Sequence, residues 1–317
     1  MRRGTRVGRP RAIESGPPCC HNAEPPEFDR PIEPHPPKLM STAKAFAPGN
    51  VSGVFKIIAD EDPTRMHSLG MGFTVSDGVT VTVSRDTSTR VLFNSDEIDF
   101  STVLSVVGKL ADEPLRVEIE TPLPLSGGFG LSGASSLAAA FAIDTLLELG
   151  MSERELGMVA HVAEVENLTG LGDIAGQFNG GCLVKLVPGD PLAAMSLPVP
   201  EQDIHYRYFG PINTRDVIGP PERRARINAA ADTALEALGR LHGRGESEFA
   251  RYVEIAKGFS VESGLLADDR VKRAIEECEK AGGAASMIML GNAVFSDVPF
   301  SEAKTTRLSK RRVERLE

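Results

Sequence analysis

The stretch PLPLSGGFGLSGASSLAAAFAI, residues 122–143, limits this chain more than any other. Glycines 127, 128, 130 and 133 stand directly before a run of small apolar residues. The segment ahead of them, LRVEIET (115–121), alternates apolar and polar side chains as a half-buried strand does. The run that follows predicts a buried helix from about Ser132 to Leu149. A strand, a glycine-rich turn and a buried helix in succession admit three readings. The turn can cradle phosphate on backbone N–H groups, cap the helix, or simply reverse the chain in little space.

Two phosphate-binding patterns fail here. The P-loop needs a lysine next to its last glycine, and residues 110–184 contain none. Gly128 to Gly133 match G-x-G-x-x-G, but the preceding strand is polar on alternate positions and Pro122 and Pro124 interrupt the approach. Some 20 residues further on, where a dinucleotide fold wants an acidic strand end, lies the helix start SERE.

The rest of the chain predicts an α+β protein. Residues 1–39 hold nine prolines and little apolar patterning, which predicts a disordered extension, and a globular sequence begins at Met40. GMGFTVSDGVTVTVS (70–84) alternates around Asp77-Gly78 and predicts a hairpin. Ser152-x-x-Glu155 is a capping box that opens a helix to about Leu168. Strands are expected at 180–187 and 205–209, with helices near 221–241, 246–257 and 269–281, followed by a Gly/Ala turn and the apolar run 286–295. Strands followed by mixed helices and strands, without a regular β-α repeat, argue against a doubly wound sheet. Two lobes are expected after the extension, 40–190 and 191–317.

Composition narrows the partners. A net charge of −9 argues against a general nucleic-acid binder and leaves room for a local basic pocket. No apolar run reaches the roughly 18 residues of a membrane span. Cys19, Cys20, Cys182 and Cys278 have no C-x-x-C spacing, so zinc and a disulfide framework are not indicated, and a reducing cytoplasm is expected.

Four segments in one order carry a family resemblance. Pro124 to Ala134 resembles Pro-x-x-x-Gly-Leu-Gly-Ser-Ser-Ala, the second motif of the GHMP kinases. KAFAPGNVSGVF (44–55) resembles the first motif. AHVAEVENLTGLGDIAGQFNGG (160–181) resembles the segment with the magnesium carboxylate and catalytic aspartate, and GGAASMIML (282–290) stands where a third glycine motif belongs. In detail the chain is similar to the archaeal pantoate kinases. The resemblance implies a two-lobed α+β fold, with a ribosomal protein S5 domain 2-like N-terminal lobe and a ferredoxin-like C-terminal lobe. It implies ATP-dependent phosphorylation of pantoate to 4-phosphopantoate in coenzyme A biosynthesis.

Roles at matching positions are implied by the same resemblance. Pro124, Gly127, Gly128, Gly130, Leu131, Ser132, Gly133 and Ala134 would surround ATP. Ser132 and Glu164 would hold Mg²⁺, Asp173 would be the catalytic acid–base, and Ser52, His161 and Lys185 would contact the acceptor. Glu164 follows His161 by three residues on one helix, so the two share a face. Glu166 is its nearest rival for the metal. The implied partner is a small molecule, with neither nucleic acid nor membrane, and a homodimer is left open.

Two positions and the C-terminal segment depart from the pattern. Asn50 follows Pro48-Gly49 where the family usually has histidine, and Lys185 stands where an arginine is expected. After Phe295 the chain ends in a charged segment, where a further apolar strand is expected. Two alternatives remain: another small-molecule member of the family, of homoserine or mevalonate kinase type, and a catalytically silent module that binds nucleotide.

Overall fold

The computed structural model describes residues 40–212, Val217 and residues 220–317. The extension expected over 1–39 lies outside the described residues. Residues 40–317 form one compact unit. Element labels follow chain order over the described residues.

Two long antiparallel strands, β1 (Thr42–Ile58) and β2 (His67–Arg85), organise the first sheet. Alternation explains them: Val79, Val81 and Val83 are fully buried, while Thr80, Thr82 and Ser84 between them are half-buried. The sheet order is β12-β1-β2-β5-β3-β4, where β3 is Arg90–Phe93, β4 Asp96–Glu97, β5 Leu115–Glu120 and β12 Glu314–Leu316. β5 covers only residues 80–85 of β2, and β6 (Cys182–Lys185) pairs with residues 70–73. β7 (Met195–Ser196) extends β6.

The hairpin expected at Asp77-Gly78 does not form. Both halves of β2 pair with β1, and Asp77-Gly78 falls where the register slips between Pro48 and Asn50. Pro48 has no N–H to offer the ladder, so the pairing must skip there. Gly78 packs tightly against it, since a Cβ would lie 2.7 Å from Pro48 Cα. A turn dipeptide has been used as a strand irregularity, and a second slip follows between Ser52 and Val54. Irregularities of this kind re-aim side chains.

α2 (Leu131–Leu147) lies on this sheet and is buried nearly all round. Its alanines let it approach the strands closely. α1 (Ser101–Leu110), which the sequence did not announce, and α3 (Glu153–Asn167) flank it. The capping box of α3 is complete: Ser152 Oγ accepts from Glu155 N, and Glu155 Oε2 accepts from Ser152 N at 2.8 Å. α4 (Asp173–Asn179) follows after a glycine turn, so Asp173 is the first residue of a helix.

The second sheet has the order β11-β8-β10-β9, with β8 Asp203–Gly210, β9 Ala285–Met287, β10 Asn292–Ser296 and β11 Lys304–Arg307. Helices α5 (Pro221–Gly243), α6 (Phe249–Glu262) and α7 (Asp269–Lys280) accompany it. Phe73 of β2 meets Phe249 and Phe295 edge-on, each at 5.3 Å, and joins the two halves. The apolar terminal strand expected after Phe295 is absent. Two short polar strands, β11 and β12, replace it, with Leu308 and Val313 buried as pegs. Its arginines are pinned: Arg311 lies 3.4 Å from the Phe46 ring centre, and Arg315 pairs with Asp144 at 2.8 Å.

Candidate active site

Three segments converge on one cavity of about 660 Å³. The first is the loop ahead of α2. Gly127 N donates to Pro124 O at 3.1 Å, and Ser126, Gly128 and Gly130 take left-handed conformations. At Gly128 a Cβ would lie 2.6 Å from Met289 O, and at Gly130 one would lie 2.8 Å from Asp173 Cγ. Glycine is required at both points. Ala134 N is bonded to Gly130 O. Leu131, Ser132 and Gly133 precede it, so their N–H groups have no carbonyl within the helix and no side-chain cap covers them. An anion placed there meets free donors and the positive end of the helix.

The second segment is β1 at its two slips. Asn50, 2% exposed, donates from Nδ2 to Asp173 Oδ1 at 2.8 Å, and its backbone N–H bonds Phe129 O at 2.9 Å. Ser52 Oγ donates to the same carboxylate oxygen at 3.3 Å. The departure from histidine at position 50 thus supplies a neutral donor to the aspartate. A Cβ on Gly176 would overlap Asn50 Oδ1, so that glycine makes room for the amide.

The third segment runs from α3 to α4. Ser132 Oγ donates to Glu164 Oε1 at 2.6 Å, and Thr102 Oγ1 lies 3.0 Å from Ser132 Oγ. Ser132 has one proton, directed at Glu164, so Thr102 is the donor to Ser132. Glu164 is 1% exposed, and its second oxygen is buried without a protein partner. Burial, and then the Asp173 charge, push its pKa up to about 7. Burial raises Asp173 as well, against the hydrogen bonds from Asn50 and Ser52. Gly170 lets the turn pass, since a Cβ would lie 2.5 Å from Glu164 Oε2. A buried Glu164 with an orphaned oxygen, and a half-buried Asp173 whose charge it feels, are short of positive charge. Among the described residues no three His, Cys, Asp or Glu side chains gather as a metal site of their own.

A second, small cavity of about 60 Å³ adjoins the first. Ser52, Phe55, Ser68 and Gly172 line both. Lys185 stands in its wall with Val54, Met71 and Leu183. Lys185 Nζ donates to Asp190 O at 2.5 Å, and burial lowers its pKa to about 8.

The structure brings Gly128, Gly130, Leu131, Ser132 and Asp173 to the large cavity, Ser52 to both cavities, and Lys185 to the small one. Pro124, Gly127, Gly133 and Ala134 line neither; they form the turn and the helix interior behind the loop. His161 lines neither cavity. It is 2% exposed, and its Nε2 lies 2.9 Å from Met66 O. A carbonyl only accepts, so Nε2 carries the hydrogen, and burial holds the ring neutral with a pKa of about 4. Glu166 turns outward to Lys109 at 2.9 Å. Thr102 and Ser68 were missed, because each is an ordinary residue made significant by a neighbour distant in sequence. Asn50 carried a signal, its place after Pro48-Gly49.

Residues 101–181 match the family model described as the GHMP kinases N terminal domain. The chain is 27% identical over 265 residues to a pantoate kinase of Methanospirillum hungatei, covering 81% of this chain and 88% of that one. It is 29% identical over 278 residues to a pantoate kinase of Thermococcus kodakarensis, covering 83% and 90%. A solved phosphotransferase related to the CoA biosynthesis pathway superposes with a TM-score of 0.73 at 25% identity, over 86% of this chain and 98% of that chain. A mevalonate-3-kinase from Thermoplasma acidophilum, 13% identical over 87% of this chain and 99% of its own, shares the fold with a TM-score of 0.61. A glycine loop aimed at a helix start, a carboxylate beside it and this run of likenesses have one explanation: residues 101–181 match the N-terminal domain of the GHMP kinases, and the chain is an ATP-dependent small-molecule kinase.

Proposed function

We propose that the protein transfers the γ-phosphoryl group of ATP to the 4-hydroxyl of pantoate, giving 4-phosphopantoate for coenzyme A synthesis. The observation that carries this reading is Ser52, which lines both cavities and bonds Asp173, with Lys185 in the wall of the smaller cavity. An acceptor that suits such a pair of cavities has a hydroxyl at one end and a carboxylate at the other. Val54, Phe55, Met71 and Leu183 give the small cavity an apolar wall, which suits the two methyl groups of pantoate. The pantoate kinases among the relatives support the same acceptor.

Each side chain then has a role. The N–H groups at the start of α2 receive phosphate oxygens. Asp173 orients the acceptor hydroxyl and takes its proton at Oδ2, because Oδ1 is held by Asn50 and Ser52. Lys185 pairs with the carboxylate. The orphaned Glu164 oxygen beside Ser132 fits a hard cation, and Mg²⁺ would be held there by Ser132 and Glu164. When bound, Mg²⁺ neutralises charge on the transferring phosphoryl group. Glu164 meanwhile fixes the Ser132 hydroxyl, and the loop keeps water from the phosphoryl group.

Lys185 gives the acceptor site a pH limit. Its pKa of about 8 means that the cation is present below that value and lost above it. With pantoate, kcat/KM is expected to fall above pH 8, toward about tenfold per unit, through KM rather than kcat. Lys185→Arg keeps the charge at every such pH, so the fall should vanish. A decline identical in both proteins would remove Lys185 from the acceptor site. The reading as a whole is tested by ADP release with pantoate, homoserine, mevalonate and shikimate, of which pantoate alone should be turned over. Turnover of another acceptor in its place refutes the substrate, and none at all favours a silent nucleotide-binding module.

A further inference from the structure

Gln177 is fully buried and lines neither cavity. It lies four residues after Asp173 on α4, so both side chains stand on one face of the helix. Its Nε2 donates to Gly130 O at 2.8 Å, at the residue where the phosphate loop becomes α2. That carbonyl only accepts, so the amide cannot sit the other way round. The same Gly130 lies against Asp173, and Gly133, one turn into α2, lies against Gln177 Oε1, where a Cβ would come within 2.9 Å. On the far side, Gln177 O accepts from Val313 N at 2.9 Å, just ahead of β12. The terminal segment is anchored on the way there: Gly181 N donates to Ser309 O, and Thr74 Oγ1 to the same carbonyl at 2.7 Å.

Stability alone does not account for this side chain. Gln177 Oε1 is buried without a protein partner. One neutral hydrogen bond contributes no more than an orphaned buried acceptor costs. An apolar side chain of this length would pack without that loss.

We infer that Gln177 is a positioning residue that fixes the phosphate loop relative to Asp173, with the segment before β12 bracing it from behind. The inference rests on the phosphoryl-transfer reading of the cavity and adds a part to it. In Gln177→Met the loop carbonyl is released while the volume is kept. A shift of about 1 Å between phosphoryl group and base lowers turnover by up to about 100-fold. The expected result is a kcat about 30-fold lower, with the KM for pantoate and the affinity for ADP within about threefold of wild type. Amide hydrogen exchange across residues 126–133 in the ADP complex should quicken about tenfold. Val313→Pro, which removes the donor to Gln177 O and leaves every side chain of α4 in place, should give the same signature more weakly and serves if Gln177→Met does not fold. Unchanged kcat, or a loss of kcat with loop exchange as in wild type, overturns the inference. If wild type turns over another acceptor, the substrate is wrong, and the ratio of variant to wild type with that acceptor still decides the role of Gln177. With no turnover from any acceptor, faster loop exchange in the ADP complex supports the clamp and unchanged exchange overturns it.

Discussion

Asp173→Asn is expected to lower kcat about 10³-fold while nucleotide affinity stays within about threefold of wild type. That ratio corresponds to about 4 kcal/mol of transition-state stabilisation. The asparagine keeps the shape, and its carbonyl oxygen can still accept from Asn50 and Ser52, which hold Asp173 Oδ1 now. What it removes is the acceptor for the hydroxyl proton. It also removes a carboxylate whose pKa burial has raised, so the ionised form is the disfavoured one in the fold. The melting temperature of the ligand-free variant should therefore match or exceed that of wild type. Steady-state kinetics with ADP binding by calorimetry decide the matter. A kcat within about tenfold of wild type would mean that another group takes the proton.

Glu164→Gln carries the second large effect. The amide can still accept from Ser132 but loses the charge at the orphaned oxygen. Activity at low Mg²⁺ should fall about 10²- to 10³-fold, with partial recovery as Mg²⁺ is raised. The ligand-free protein carries a matching signature. The pKa of Glu164 rises from 4.5 to about 7 on folding, so its contribution to stability is fully present below 4.5. That contribution is lost as pH climbs through about 7. Wild type without ligands should thus lose stability over that window, and Glu164→Gln should lose less. Equal slopes in thermal melts, together with unchanged Mg²⁺ dependence, would take Glu164 out of the site.

The fold was legible wherever local pattern and local structure agree. The strand at 115–120, the capping box at Ser152 and the buried helix from Leu131 all follow from spacing that a short window contains. The failures share a cause. Asp77-Gly78 is a turn signal that β1 overrides by pairing with both halves of β2. The charged terminus reads as having no core to join, yet its arginines find Phe46 and Phe141 far upstream. The same division holds in the site. Loop glycines, Ser132, Glu164 and Asp173 stand out because their motifs are contiguous. Thr102, Gly176 and Gln177 do not, since each acts on a residue that only folding brings near. Burial was the least legible property: His161 shares a helix with Glu164 but is held by Met66 O and lines neither cavity.

The central claim is a phosphoryl transfer to one hydroxyl of one acceptor. Purified protein incubated with ATP, Mg²⁺ and pantoate should yield ADP and a phosphomonoester in equal amounts. Phosphorus–proton coupling in the NMR spectrum should place the phosphate on the C4 methylene. ADP formed without phosphorylated pantoate, or phosphate found on the C2 hydroxyl, would contradict the account.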